Sequence, residues 1–460
     1  MLDEILGNNT LQRAEKYGVG SWIGRALCAL GLIFASGDLW PTVKVGFTFR
    51  LTQLCILAAA ILLLSRRNHA VRPVPGFWWL YAFLVAIAFE LPGSDYLLRS
   101  IGYTFWAITD VLTVVVLVQY FEDIADLERL LNWWTVSFII IALFGCLQFL
   151  VGLTGHSVLT TEWWIPGRIP RVNGLSYEPS YFATYLIAGW VFSAYLLETH
   201  AVLPGRRLQV MCLVTTTLAL LICSSRMGWL MMLLWIMFRT SRLLLRAVVL
   251  GFTSRIAVRR LAIAASAVCA IGAIAVFHAN SIASSVEDVG FLAQGLGLFG
   301  ESSHSARPRI DRLEETWRVF EHHPLLGVGI GALPVDIARQ NDRGILNLQQ
   351  AKAYQGMSIF VELLASTGII GGAIALGFAV AIIRDLRLIK QRGNDRITGS
   401  LLAIGWGIIW MLGILQFNQN FLRIYLFTDL GVLLACISIL KRAMRVPTPA
   451  TADRSTFPRF

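Results

Sequence analysis

The sequence predicts an all-α integral membrane protein of about twelve transmembrane helices with a large outer loop containing amphipathic helices, on three observations. Only 15% of the residues are charged while 56% are hydrophobic, and the mean hydropathy is +0.65, where a soluble domain is about one-quarter charged. Apolar runs recur from Trp22 to Leu440 with short polar, Gly- or Pro-containing breaks between them, and a spanning helix needs roughly 20 such residues. Lysine and arginine concentrate on alternate connections between these runs, as they do where loops face the cytoplasm.

Residues 1–20 carry Asp3, Glu4, Arg13, Glu15 and Lys16, too polar for the core of a signal peptide, and are expected to stay in the cytoplasm. Nine spans then fill 21–278, at 21–37, 43–64, 77–91, 102–120, 133–153, 179–198, 208–223, 226–239 and 258–278. The eighth is short for a bilayer. An outer loop of nearly 80 residues covers 279–356, three spans follow within 357–440 (357–383, 398–416 and 421–440), and 441–460 is a cytoplasmic tail. On this topology 24 of the 39 lysines and arginines lie inside and seven lie outside apart from the long loop. The two long outer segments, 154–178 and 279–356, exceed ordinary connectors and are where function is expected.

Several function classes fall away. The net charge of +11 reflects topology and not a nucleic-acid surface, since the basic residues sit between apolar segments. All seven cysteines lie in or at the edge of apolar runs, which argues against disulfides and thiolate metal sites. No Walker motif, GxSxG elbow or HExxH element is present, so no cofactor or metal is expected.

The candidate chemistry is arginine-rich. Arg168, Arg171, Arg226, Arg307, Arg309, Arg312 and Arg318 all fall on the outer side or at helix ends there, where a guanidinium is costly unless it snorkels, pairs with Glu178, Glu314 or Glu315, or meets an anionic ligand. A lipid diphosphate is such a ligand at this depth, and the guanidinium fork matches its oxygens. Ile310, Leu313, Trp317 and Phe320 form a helical apolar stripe suited to the membrane interface, and Arg309 and Arg312 share a face. Glu178 precedes Pro179, so it reads either as a helix cap or as a base at a partly apolar mouth. His322 and His323 are acid or base candidates, Tyr177 and Glu362 possible cavity lining. Gly327, Gly329 and Gly331 allow close backbone approach to a ligand or a re-entrant turn.

Three local patterns then occur in order: Arg171 to Ser180; Ser225-Arg226-Met227-Gly228-Trp229; and Arg312 through Trp317 to His323-Pro324-Leu325-Leu326-Gly327-Val328-Gly329. With the long loop and the helix-like stretch Ile359 to Gly372, they resemble the O-antigen ligase and polymerase superfamily of bacterial polytopic membrane glycosyltransferases, over roughly 170–372. The resemblance implies transfer of a glycan from undecaprenyl diphosphate on the periplasmic side of the inner membrane, without a metal and with inversion at the anomeric carbon. On this reading Arg171, Arg226, Arg309 and Arg312 are expected to hold the diphosphate, Arg226 also to serve catalysis, and Glu178 or His323 to deprotonate the acceptor hydroxyl. Partners would be the undecaprenyl-diphosphate-linked oligosaccharide, membrane lipid, and flippase and chain-length regulator proteins. Many ligases carry a His-Asn pair where this chain has Met357 and Ser358, which favours polymerisation of repeat units over transfer to lipid A core. A lipid or oligosaccharide transporter is the rival class, but it expects repeated halves and mid-membrane charges, and no repeat is visible.

Overall fold

The computed structural model describes residues 19–45, 47–65, 71–94, 96–165, 167–201, 203–249, 303–341, 350, 354–392, 395–418 and 421–444. The expected span 258–278, both chain ends and much of the loop 279–356 lie outside them. The described chain is mainly helical with two short hairpins. In order it forms α1 (Val19–Ile33), the antiparallel hairpin β1 (Thr42–Val45) and β2 (Phe47–Arg50), α2 (Leu51–Leu64), α3 (Phe77–Glu90), α4 (Leu97–Tyr120) and α5 (Ile124–Gly152). A second hairpin, β3 (Glu162–Ile165) and β4 (Ile169–Arg171), precedes α6 (Pro179–Thr199), α7 (Arg206–Ile222) and α8 (Arg226–Val249). Past the long gap come α9 (Ser303–His322), α10 (Leu333–Gln340), α11 (Ile359–Arg392), α12 (Asp395–Ile414) and α13 (Ile424–Ala443).

Among the described residues six helices are long and apolar enough to cross a membrane: α4, α5, α6, α11, α12 and α13. Shorter apolar helices occupy Gly20–Ile33, Leu51–Leu64 and Phe77–Gly93. Three expectations change in detail. Residues 43–50, expected as the start of a span, form the first hairpin instead, because Val43, Val45, Phe47 and Phe49 alternate with polar neighbours and so suit a strand. The short eighth span is a 24-residue helix that continues through Arg239 and Arg242, where Arg239 pairs with Glu198 and lies over the rings of Tyr195 and Trp235. The tenth span runs to Arg392 and is broken at Gly368, whose backbone is not helical.

The core is organised around α6 and α13, which other helices enclose on most sides, whereas α11 leaves most of its surface open. α6 packs on α7 and α12, and α13 packs on α4. A chain of rings holds the centre: Trp134 meets Phe138 and Phe192 at 5.0 and 4.7 Å, and Phe138 meets Tyr185 at 4.7 Å. Trp134 Nε1 donates to Asp429 Oδ1 at 2.7 Å, which satisfies a buried indole that hydrocarbon would leave unpaired.

The break in α11 is braced by the segment after α9. Val328 and Gly329 N–H donate to the carbonyls of Ala365 and Ser366, and Ile369 and Ile370 N–H donate to those of Pro324 and Leu325. Irregular backbone at membrane depth survives only where protein satisfies it. The chains approach so closely that a Cβ on Gly327 would lie 2.3 Å from the Ser366 carbonyl carbon, and one on Gly368 would lie 2.1 Å from the Leu325 oxygen. Two of the open readings of the glycine run are thereby separated: Gly327 serves a backbone joint.

Candidate functional site

At one end of the bundle four elements converge. The β3–β4 hairpin delivers Arg171 as its last strand residue, opposite Glu162 in register; the two form an ion pair across the hairpin. Glu162 was not singled out in the sequence, since only strand register brings it to Arg171. The chain then runs to Glu178, the residue that precedes the first turn of α6.

Buried amides fix this connection. Gln148 of α5 donates from Nε2 to the carbonyls of Val158 and Gly174 at 2.8 and 3.0 Å and accepts from the Gly174 N–H at 2.8 Å. Asn173, fully buried, donates from Nδ2 to Leu159 and Ser176 carbonyls at 3.1 and 2.6 Å. Ser176 Oγ donates to the Ser36 carbonyl at 3.0 Å. Each amide replaces water that a looser loop would need, so the approach to Glu178 is held at both ends.

Glu178 is half-buried and its side chain makes no cap hydrogen bond to α6. Ser180 Oγ donates to its Oε2 at 3.0 Å. A carboxylate released from capping is available to a ligand.

Arg226 is the exposed first residue of α8. The turn before it carries Ser224 at φ 54°, and the Trp229 indole pins it by donating to the Leu220 carbonyl at 2.8 Å. From the other side comes α9, which packs against α11 and α10 through buried Thr316 and Val319. Met357 N–H donates to Thr316 Oγ1 at 3.1 Å. Of the stripe read from the sequence, Ile310, Leu313 and Trp317 are exposed, whereas Phe320 is partly buried against the Val319 cluster; Arg309 and Arg312 lie half-buried.

Burial pushes the Arg309 guanidinium below the ordinary arginine range; Glu178 opposes that shift, while Arg226, Arg171 and Arg312 add to it. Those influences place Glu178, Arg226, Arg171 and Arg312 within the field of Arg309. Arg318, by contrast, is exposed and only loosely paired with Glu314 at 3.9 Å.

The remaining candidates sit elsewhere. His322 and His323 are exposed at the C-terminal end of α9, with His322 Nδ1 2.7 Å from the Arg318 carbonyl oxygen. At 1.5 Å rise per residue, His323 is about 21 Å along the helix from Arg309. Tyr177 is exposed beside Glu178. Glu362 is buried and lines a small cavity with Arg99, Tyr103, Gly331, Ser366 and Phe421. Met357 is buried, and Ser358, at φ 69°, donates from Oγ to Gln416 Oε1 at 2.8 Å. Among the described residues no three His, Cys, Asp or Glu side chains group as metal ligands.

Behind the cluster lies a buried ionic network that sequence reasoning did not find. Asp38 pairs with Arg50 at 2.8 Å and with Arg423 at 2.9 Å. The Arg423 guanidinium lies 3.6 Å from the centre of the Tyr181 ring, one turn into α6 from Glu178, and that of Arg50 lies 5.0 Å from the centre of the Trp106 ring. Arg423 also feels the charge of Glu178.

Compared with known proteins, residues 211–376 match the family model for O-antigen ligase. That segment contains Arg226, Arg309 and Arg312 and leaves Arg171 and Glu178 outside. No curated protein matches the chain.

Proposed function

We propose that this multi-pass membrane protein is a polysaccharide polymerase, a reading supported by the match of residues 211–376 to the O-antigen ligase family model. It transfers a glycan from undecaprenyl diphosphate to the non-reducing end of another lipid-linked repeat unit. The observation that carries this reading is that Arg309 lies in the field of three further arginines, Arg171, Arg226 and Arg312, and of Glu178, a carboxylate that caps no helix. Like charges so gathered repel, and a diphosphate relieves the repulsion while accepting their hydrogen bonds.

In the proposed reaction Arg171, Arg226, Arg309 and Arg312 hold the donor diphosphate and stabilise the charge that grows on it as the bond from the anomeric carbon to the diphosphate oxygen breaks. The acceptor hydroxyl oxygen forms the new bond on the opposite face of the sugar, which inverts the centre, and its proton passes to Glu178. The carboxylate, not His323, is the base because it lies among the arginines, whereas the histidine is about 21 Å along α9 from Arg309. No residue step in this scheme uses a metal.

Charge supports a side of the membrane for this reading. The end opposite the cluster carries Arg72, Arg384, Lys441 and Arg442 around the α3, α11 and α13 termini, a concentration that favours the cytoplasm. The arginine cluster then faces the periplasm of the inner membrane.

The test is reconstitution of the purified protein in nanodiscs with undecaprenyl-diphosphate-linked oligosaccharide and EDTA. A ladder of lengthened lipid-linked glycans supports the polymerase. Transfer only when lipid A core is supplied makes the protein a ligase, and inertness toward both acceptors with a verified donor overturns the glycosyltransferase reading.

A further inference from the structure

At the end of the bundle away from the arginine cluster, a cavity of about 510 Å³ opens between the start of α3, the end of α4 and the last third of α11. Its apolar wall is Phe77, Trp78, Val115 and Ala381, and its polar rim is Arg72 and Arg384. The wall is aromatic where it leaves the protein: Trp78 is 77% exposed and stands edge-on to Phe77, ring centres 5.7 Å apart. Tryptophan with one side against protein and the other open is the residue that settles at the boundary of hydrocarbon and headgroups.

The rim is asymmetric in charge. Asp385, the acid at the cavity, is taken by Lys441 at 2.9 Å, and Glu122 is taken by Arg72. Arg384 makes no ion pair among the described residues and is exposed. Arg442 and Arg25 add positive field at Arg72. The Arg72 backbone is fixed by reciprocal hydrogen bonds with the Gln119 amide at 3.0 and 2.8 Å, so the rim is formed before any ligand arrives. A ligand that fits has an anionic head for Arg384 and an alkyl chain for Phe77, Trp78, Val115 and Ala381. A free anion leaves the wall unused and a neutral lipid leaves Arg384 uncompensated.

We propose that this cavity is a binding site for an anionic phospholipid of the adjacent leaflet, its phosphate on Arg384 and one acyl chain along the Trp78 wall. The site is separate from the arginine cluster at the other end and does not depend on the glycosyl-transfer reading. Its place between α3, α4 and α11 lets a bound lipid fill the seam between these helices.

The experiment is native mass spectrometry of the full chain released from detergent micelles containing phosphatidylglycerol or phosphatidylcholine. Wild-type protein is expected to retain at least one phosphatidylglycerol in preference to phosphatidylcholine. Arg384→Gln is expected to weaken that retention about five-fold, the effect of one basic side chain near an anionic lipid surface, and Trp78→Ala is expected to weaken both lipids. Arg387→Gln, an exposed charge on the same helix outside the cavity, is the control and is expected to behave as wild type. Both test side chains are exposed, so the variants keep the core. Equal retention of the two lipids by wild type, loss in Arg387→Gln equal to that in Arg384→Gln, or full displacement of lipid by millimolar inorganic phosphate would each overturn the proposal.

Discussion

Asp38→Asn probes the ionic network behind the arginine cluster. The Asp38 side chain is 6% exposed and its partners Arg50 and Arg423 are 8% and 6% exposed, so losing the one carboxylate strands two guanidiniums away from water. Breaking one buried pair from one side costs about 3–5 kcal/mol. The two losses do not simply add, because the Trp106 and Tyr181 rings remain under the cations and each is worth about 0.5–2 kcal/mol. A net cost of about 3–5 kcal/mol remains. With an unfolding entropy of about 2 cal/mol/K per residue, a chain of this length loses roughly 1 °C of midpoint per kcal/mol, so a fall of about 3–5 °C is expected. Thermal unfolding of the purified protein, followed by tryptophan fluorescence, measures it. The double variant Asp38→Asn/Arg423→Met removes one stranded cation and is expected to lie above the sum of its single variants. A midpoint for Asp38→Asn within 1 °C of wild type, or a double variant at or below that sum, would refute the network as an energetic unit.

Three further outcomes follow from the site. Arg226→Ala and Arg309→Ala are each expected to lower kcat by about 10²–10³, the cost of removing one donor from a developing anion, read as initial rates of glycan extension in nanodiscs. His323→Ala is expected to leave kcat within about three-fold, where a removed general base costs about 10²–10⁴; a loss of the larger size would move the base from Glu178 to the histidine. Gly368→Ala is expected to yield little monodisperse protein on size exclusion, since the new Cβ lies 2.1 Å from the Leu325 oxygen at a backbone φ of 61°, and recovery at the wild-type level would show that the joint yields.

What the sequence made legible follows from the range of each interaction. Hydropathy and the Glu178-Pro179 step located α6 at its observed start, and the α7 limits differ from expectation by one or two residues. Hydropathy failed at Thr42–Arg50, where the period-two alternation of a hairpin was present but averaged into an apolar window. It also ended α8 at Arg239, because charge stops a hydropathy run without stopping a helix. The arginines of the candidate site were visible as costly residues on the outer side, one by one. Their supports were not: Asp38 and Arg423 are 385 positions apart, and Gln148 reads as one more polar residue in an apolar helix until its amide is seen on Gly174.

The broken helix and the candidate site belong to one construction. α9 carries two of the four arginines, and its height over the bundle is set at its inner face and just beyond its C-terminal end. Thr316 receives the Met357 N–H just before α11 begins, and the segment after His323 enters the break in α11 through four backbone hydrogen bonds around Gly368. A continuous α11 would offer no free carbonyls at Ala365 and Ser366, because each would accept from its own helix. The break is therefore what gives the connection after α9 a place to bind, and through α9 it holds Arg309 and Arg312. Side chains on α9 alone would leave that height to one helix face, and an error of about 1 Å at a reacting centre costs on the order of 10²-fold in rate. Tethering a loop helix by backbone hydrogen bonds to a membrane helix is a way to hold the proposed anion site to that tolerance.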